Sequence, residues 1–281
     1  MNNEYPVFVP TKGRYKTLHT IKAFESIGVR YKAVIEKQEY TQYAEAIGKD
    51  NLIVVPHQNK GLTTTRNWIW DYAENELKTP YFWTFDDNIR EFYRLHQNIK
   101  YRIASPTFLK VMEDFATRYE NLVVSGMQYE MFVPRKRKHK PYTLNTRVYS
   151  NMLIKADSGY RNELFYNDDT DLCLRILKDG NCTLQFYAFL ANKIATMTVK
   201  GGMTDYYKKT KQGDGRLLMA QALMEKHPDV TQIVRKWGRW QHKVDYSKFR
   251  NNKLRKKPKV AIPIGMNNYG MNLKRSKVGI D

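Results

Sequence analysis

The sequence has little cysteine, no long apolar run and no excess of acidic residues. Only two cysteines, Cys173 and Cys182, occur among the 281 residues, and they form no CxxC pair. This usage excludes a disulfide framework and a zinc finger, and it is typical of the reducing cytoplasm. No apolar stretch approaches the roughly 20 residues that cross a bilayer, and the N-terminal segment MNNEYPVFVP lacks a signal-peptide pattern. We therefore expect a cytoplasmic protein without a membrane span.

Basic residues greatly outnumber acidic ones. The 48 Lys and Arg against 28 Asp and Glu leave a net charge of +20. The last part of the chain, residues 201–281, holds 19 of the basic residues and 6 of the acidic ones, which accounts for 13 of the net charge. This concentration predicts an acidic polymer or an anionic surface as partner, with nucleic acid as the first candidate.

Short apolar runs alternate with segments of helical period up to about residue 130. The runs YPVFVP, YKAVI, NLIVVP and YFWTF are typical of strands, and the segments 17–27, 39–47 and 63–76 between them have the period of helices. This order predicts an α/β fold with a mostly parallel sheet flanked by helices. Ligands of such sheets bind at the carboxyl ends of the strands, so a site is expected after YFWTF.

Two adjacent carboxylates, Asp86 and Asp87, follow the run YFWTF directly. Aspartate is common in turns and caps, so the pair could be ordinary loop residues. Uncompensated anions beside apolar side chains are costly, however. A hard divalent cation such as Mn²⁺ or Mg²⁺, completed by the phosphates of a ligand, would neutralise them. The second interpretation predicts a metal site for a phosphorylated substrate.

A second acidic cluster precedes a predicted helix in NDDTDLCLRILKDG. Asp168, Asp169 and Asp171 could be residues of the first helical turn that favour the macrodipole or cap the helix. Together with the first cluster, they also offer a carboxylate that could act as a general base. The residues alone leave both interpretations open.

Taken in order, four motifs resemble the nucleotide-sugar glycosyltransferases of the GT-A fold, over roughly residues 5 to 205. VFVPTKGRYKTL is similar to the opening strand and nucleotide-binding loop of that family, and NKGLTTTRNWIWDYA to its Gly, Arg and Asn signature. FDDN is similar to its DxD motif, and NDDTDLCLRILKDG to its acceptor-facing acidic segment. The resemblance implies a GT-A type, Rossmann-like catalytic domain over residues 1–205, a nucleoside-diphosphate-sugar donor, and Mn²⁺ or Mg²⁺ as cofactor.

The resemblance also implies roles for single residues. Asp169 aligns with the catalytic base of inverting members, and Asp168 stands in place of the usual Glu. The donor is expected at Pro10, Thr11, Arg14, Glu36, Arg66, Asn67 and Asp86. The metal is expected at Asp86, Asp87, Asn88 and His242.

The sequence departs from the family pattern at the third DxD position, which is Asn88. An amide can coordinate a metal through its oxygen but carries no charge. Asp87 could therefore take a larger share of the metal, or metal dependence could be weaker. For the further metal ligand His242 is preferred, and the other candidates are His227, Asp205 and Asp214.

A narrower resemblance concerns the acceptor. PTKGRYKTL, TFDDNI, KGGMTDYY and GRWQHKVDYSKFRNNKL are similar to the TET-associated glycosyltransferases of DNA-modifying bacteriophages. That family is inferred to attach sugars to hydroxymethylated pyrimidines in DNA. The resemblance implies transfer from a UDP-sugar to the hydroxymethyl group of 5-hydroxymethylcytosine in double-stranded DNA, within the cytoplasm of a host cell.

Basic and aromatic residues interleave in the region 206–281, which we expect to be helical or extended and to bind DNA. Cations pair with phosphates, and aromatic faces can stack on unpaired bases. The alternative is a solvated helix face with an aromatic anchor. A second basic patch, PRKRKHKP, could grip the backbone or be a solvated loop. The expected DNA contacts are Arg135, Lys136, Arg137, Lys138, Arg235, Lys236, Trp237, Arg239, Trp240 and Lys243.

Three other functions fit parts of the sequence. A GT-A transferase could act on a lipid or polysaccharide acceptor at a membrane, although the basic region has no long apolar stripe for docking. A non-catalytic DNA-binding protein would explain the charge but not the ordered motifs. A nucleotidyltransferase also uses paired aspartates, but the usual Gly-Ser lead-in is missing. The donor sugar, the stereochemistry, base flipping and the oligomeric state stay open.

Overall fold

The strands predicted at the start of the chain pair in parallel within one large sheet. The computed structural model describes residues 3–194, 209–210, 213–261 and 273–275. The first elements are β1 Val7–Pro10, α1 His19–Ile27, β2 Lys32–Glu36, α2 Tyr40–Ile47, β3 Leu52–Val55, α3 Leu62–Asp71 and β4 Tyr81–Phe85. β1 pairs in parallel with β2 and β4, and β2 pairs in parallel with β3.

The sheet continues beyond β4 with strands of both directions. Its further elements are β5 Ile89–His96, β6 Ile99–Ile103, α4 Thr107–Ala116, β7 Leu122–Tyr129, β8 Tyr142–Leu144, β9 Asn151–Lys155, α5 Asp168–Lys178 and β10 Cys182–Lys193. The strand order is β6-β5-β10-β7-β9-β4-β1-β2-β3, and β8 pairs with β10. β7 and β10 are parallel, whereas β9 is antiparallel to both β4 and β7. The predicted α/β class, with helices flanking the sheet, is confirmed.

The chain beyond β10 adds a helix, a hairpin and an edge strand. These elements are β11 Lys209–Thr210, β12 Gly213–Asp214, α6 Gly215–Lys226, β13 Thr231–Lys236, β14 Arg239–Val244 and β15 Leu273–Arg275. β15 pairs with β6 at the edge of the sheet, and β13 and β14 form the hairpin. The turn residues Trp237 and Gly238 both have positive φ, 50° and 71°, as a type I′ turn requires. Among the described residues, no helix is long and apolar enough to cross a membrane.

Helices cover both faces of β4, which explains the apolar run YFWTF. Successive side chains of a strand point to opposite faces of the sheet. Phe85 packs edge-on against Phe24 of α1 on one face, and Phe82 packs against Trp70 of α3 on the other. All five residues of β4 are buried. The carboxylate pair that follows β4 therefore lies where the enclosed strand reaches the edge of the sheet.

The region after β10 packs on α5 through an apolar cluster and a buried carboxylate. Leu177 of α5 packs with Leu223 of α6 and with Phe249. The fully buried Asp171 lies 2.9 Å from His227 Nε2, at the end of α6. These contacts fix α6 against α5, whose first turn carries the second acidic cluster, and the hairpin in turn contacts α6.

Candidate active site

The predicted residues after β1 and β4 lie side by side at the carboxyl edge of the sheet. β1 and β4 are in parallel register, with Phe8 opposite Thr84. Thr11 Oγ1 donates a hydrogen bond of 2.8 Å to Asp87 Oδ2. The guanidinium of Arg14 forms an ion pair with Asp87 Oδ1. The loop after β1 is thus tied to the carboxylates after β4.

Arg66 of α3 joins the two acidic clusters. Its Nη2 donates to Asp86 Oδ1 at 2.8 Å, and its Nη1 donates to Asp168 Oδ2 at 2.6 Å. Burial disfavours the charged form of an arginine, but the two carboxylates outweigh burial and hold the pKa of Arg66 above its ordinary value. Arg66 therefore stays charged and fixes the start of α5 against the end of β4.

A further cation, Lys193 at the end of β10, completes the cluster and was not predicted from the sequence. Its Nζ donates to Asp86 Oδ2 at 2.7 Å and to Ser150 Oγ at 2.6 Å. Burial alone would raise the pKa of Asp86, but Lys193 and Arg66 more than offset burial and hold that pKa below its ordinary range. The only signal in the sequence is a lysine where the apolar run of β10 ends.

Asp169 follows Asp168 at the start of α5 but has different neighbours. Its Oδ1 accepts hydrogen bonds from the backbone N–H of Thr170 at 2.6 Å and from the Thr170 hydroxyl at 3.1 Å. Asp168 is buried and engaged by Arg66, whereas Asp169 is only partly buried. Of the two carboxylates, Asp169 is therefore the better placed to accept a proton from a substrate.

Arg147 brings the C-terminal hairpin to Asp169. The guanidinium of Arg147 interacts electrostatically with Asp169 and stacks over the Tyr149 ring, 4.3 Å from its centroid. Its Nη1 lies 3.4 Å from His242 Nε2 in β14. Burial and Arg147 together lower the pKa of His242 to about 4, so the imidazole is neutral near pH 7. No sequence motif marks Arg147, and it was not predicted.

Three residues predicted to bind the donor have other partners. Pro10 is the last residue of β1, and Glu36 ends β2, where it accepts a hydrogen bond of 2.7 Å from Lys12 Nζ. Asn67 exchanges hydrogen bonds of 2.8 and 2.9 Å with the backbone of Asn162. The contacts of Asn67 thus hold the loop that leads to α5. Pro10 and Glu36 thus both lie at the carboxyl ends of their strands, and donor binding by them stays a prediction.

The carboxylates as arranged do not fit a divalent cation. Both oxygens of Asp86 and both of Asp87 already accept hydrogen bonds from basic or hydroxyl groups. His242 faces Arg147. Within the described segments, no group of three His, Cys, Asp or Glu side chains could hold a metal ion. Asn88 Oδ1 is buried and has no hydrogen-bond partner among the described residues, so it is the most available oxygen ligand for a metal. Metal binding stays a prediction.

The other candidate metal ligands have structural roles or lie outside the description. His227 contacts Asp171 in the interface between α5 and α6. Asp214 accepts a hydrogen bond of 3.0 Å from the backbone N–H of Arg216 and caps α6. Asp205 lies outside the described residues.

The predicted basic patch in PRKRKHKP lies in a loop after β7. Asn98 Nδ2, in the turn between β5 and β6, donates hydrogen bonds of 2.6 Å to the carbonyl oxygens of Arg135 and Arg137. The side chains of Lys136, Arg137 and Lys138 are exposed. The loop backbone is therefore anchored while its cations face solvent.

The basic and aromatic residues of the hairpin divide between two faces. Residues paired directly across two strands share a face. One face, the inner face, consists of Thr231, Ile233, Arg235, Trp240, His242 and Val244. The opposite, outer face carries the exposed cations Lys236, Arg239 and Lys243. Trp237 at the turn is 77% exposed.

Comparison with known proteins found a matching family model and a distant similarity to solved structures. A family model described as TET-associated glycosyltransferase matches residues 5–202. No curated protein matches the chain. The apo-form glycosyltransferase GlyE of Streptococcus pneumoniae TIGR4 is 9% identical, with a TM-score of 0.36 over 80% of this chain and 64% of that one. The apo structure of the bifunctional glycosyltransferase WbbM is 7% identical, with a TM-score of 0.30 over 66% of this chain and 36% of that one.

Proposed function

Because the chain belongs to the TET-associated glycosyltransferase family, we propose that it transfers a sugar to the hydroxymethyl group of 5-hydroxymethylcytosine in DNA. The expected donor is a UDP-sugar, and the expected setting is the cytoplasm of a phage-infected cell. The observation that carries the proposal is the bridge that Arg66 makes between Asp86 and Asp168. Through this bridge the strand edge expected to bind the donor lies next to Asp169, which supports a single site for the donor and the proposed general base.

The proposed reaction is a direct displacement at the anomeric carbon of the donor. Asp169 accepts the proton of the acceptor hydroxyl. The hydroxymethyl oxygen bonds to the anomeric carbon while the bond from that carbon to the diphosphate oxygen breaks, and the nucleoside diphosphate leaves with the electron pair. Arg66 and Lys193 lie at the strand edge expected to bind the donor, and they would stabilise the negative charge that develops on the departing diphosphate. A single displacement of this kind inverts the anomeric configuration.

The C-terminal hairpin supports DNA as the acceptor. Its strand β14 approaches Asp169 through the contact between His242 and Arg147. Its outer face presents three exposed cations, and cations of this kind pair with the phosphates of a DNA backbone. A duplex bound along the hairpin would therefore carry a target base close to the general base.

The test is mass spectrometry of nucleosides from DNA incubated with the purified protein and a panel of nucleotide sugars. A duplex with 5-hydroxymethylcytosine is compared with a duplex with cytosine, each in Mn²⁺, Mg²⁺ and EDTA. We expect a mass gain of one sugar on the modified base only. Asp169→Asn should reduce the rate by roughly 10²- to 10⁴-fold, because an amide cannot accept the proton. Donor binding, measured by calorimetry, should not change in this variant.

The control for Asp169→Asn is Asp157→Asn. The Asp157 side chain is 69% exposed. It follows the last residue of β9, which pairs with the first residue of β4, so it lies at the edge of the sheet opposite to the candidate site. Donor hydrolysis without a mass gain on any DNA would retain the transferase and overturn the acceptor. No turnover of any donor would overturn the proposed function as a whole. The EDTA reactions decide the predicted metal dependence.

A further inference from the structure

We propose that the inner face of the hairpin binds the acceptor base, which leaves the DNA duplex and stacks on Trp240. The inference rests on the proposed function, because it assumes a nucleotide acceptor. It adds Trp240 as the residue that holds the acceptor base. It also states that the base is extruded from the duplex and is not reached within the groove. Four features of the structure support it.

The inner face opens toward the tip of the hairpin. At its base Thr231 is 4% exposed, next along the face Ile233 is half-buried, and nearest the tip Arg235 is exposed. Both strands of the hairpin contact α6, and this face is buried at its base and exposed nearest the tip. Trp240, paired with Arg235 near the tip, is half-buried on this face.

The closed end of the inner face meets the catalytic residues. His242 contacts Arg147 at 3.4 Å, and both interact electrostatically with Asp169. The hydroxyl of Tyr246, buried beside Arg147, has no hydrogen-bond partner among the described residues. Buried hydroxyls are normally paired, so a polar group from a ligand is expected at this place.

The spacing along β14 suits a nucleobase. Trp240 and His242 are two residues apart on one face of a strand, roughly 7 Å. A base stacked on the Trp240 ring would direct a substituent on its edge past His242 toward Asp169. A hydroxymethyl group is such a substituent.

Stacking on Trp240 requires that the base leave the duplex. A base inside a helix shows its edge in the groove, but both of its faces are covered by neighbouring bases. An aromatic side chain can bind the face only after the nucleotide has been extruded. The guanidinium of Arg235 lies over one face of the Trp240 ring, 5.8 Å from its centroid. An extruded base that stacks on this face would displace the guanidinium, which would then pair with the phosphate of the same nucleotide.

The test compares Trp240→Leu and Trp240→Phe in the full-length protein. The control is Trp68→Leu, which removes a half-buried tryptophan that stacks on Tyr72. We expect Trp240→Leu to raise the KM for modified duplex by roughly 10- to 100-fold with the donor KM unchanged, because leucine has no aromatic face for the base to stack on. Trp240→Phe should restore most of the affinity. A mismatch opposite the target base should lower the wild-type KM, since extrusion then costs less.

Equal KM values for Trp240→Leu and Trp68→Leu would overturn the inference, as would a mismatch without effect. If the wild-type protein modifies no DNA, the proposed function fails, and the stacking site is tested separately by binding. The monophosphate of 5-hydroxymethyl-2′-deoxycytidine should then quench the tryptophan fluorescence of the wild type and of Trp68→Leu but not of Trp240→Leu. Quenching in all three proteins would exclude the site at Trp240.

Discussion

Arg66 contacts one carboxylate from each acidic cluster, and both contacts are largely shielded from water. The Arg66 side chain is 7% exposed, and those of Asp86 and Asp168 are 19% and 12% exposed. Replacing a buried ion pair by an apolar pair often changes the free energy of unfolding little, but a buried charge that loses its partner strongly destabilises the fold. Removing one charged side chain of this cluster should therefore destabilise the protein more than removing a cation together with its carboxylate partner.

Arg66→Met should lower the free energy of unfolding by about 3–5 kcal/mol, because Asp168 loses its basic partner in the cluster and Asp86 loses one of two. The double variant Arg66→Met/Asp168→Asn should recover part of this loss. Urea unfolding of the single and double variants measures both effects. The control is Arg30→Met, at an exposed arginine. A loss in Arg66→Met no larger than in the control would contradict the prediction.

At the scale of elements, the hairpin of β13 and β14 is held by few polar contacts with the body of the protein, among the residues that the structure describes. His242 makes one of them, and it is neutral because burial and Arg147 lower its pKa to about 4. Protonation would place a second positive charge beside Arg147. The docking of the hairpin next to Asp169 is therefore sensitive to acid.

The stability of the protein should fall between about pH 6.5 and about pH 4 in part because of His242. In this window the unfolded chain binds a proton at the histidine, whose ordinary pKa is about 6.5, and the folded protein does not. The free energy of unfolding therefore rises with pH through the window. Above the window, the contribution of His242 to this free energy is constant. His242→Gln should show a smaller loss than wild type between about pH 7.5 and about pH 5 in urea titrations. Equal losses in the two proteins would refute the assignment.

At the scale of the whole molecule, the net charge of +20 favours any polyanion. Part of the charge is committed to internal pairs, as for Arg14, Arg66 and Lys193 in the site. The exposed cations of the outer hairpin face and of the PRKRKHKP loop remain available to pair with phosphates. Binding to DNA should therefore have a large component that does not depend on sequence or modification.

Replacement of Lys236, Arg239 and Lys243 by Gln should weaken binding to modified and unmodified duplexes alike. The slope of log affinity against log salt should decrease by roughly 1 for each phosphate that the variant no longer pairs with. Fluorescence anisotropy over a salt series measures the slope. The control variant replaces three exposed lysines on other elements, Lys22, Lys49 and Lys78. Equal slopes for the two triple variants would place the DNA elsewhere on the surface.

Much of the fold could be predicted because it depends on local pattern. Alternation of apolar runs with helical periods identified the strands β1 to β4 and the helices between them, with ends within a few residues of those observed. The β5–β6 hairpin was missed, since its strands carry many polar residues and follow the more conspicuous DxD-like motif. The hairpin of β13 and β14 had a readable signal, a two-residue turn ending in glycine, within a segment that could equally have been helical.

The sequence by itself determined that carboxylates follow an enclosed strand, because a strand covered on both faces must stay apolar until it reaches the sheet edge. It also determined the excess of positive charge in the last part of the chain. Only the tertiary structure decided what neutralises the carboxylates and what lies beside Asp169. Arg66 and Lys193 reach Asp86, and His242 reaches Arg147, from distant parts of the chain. Such contacts depend on strand order, register and helix packing, which no local pattern encodes.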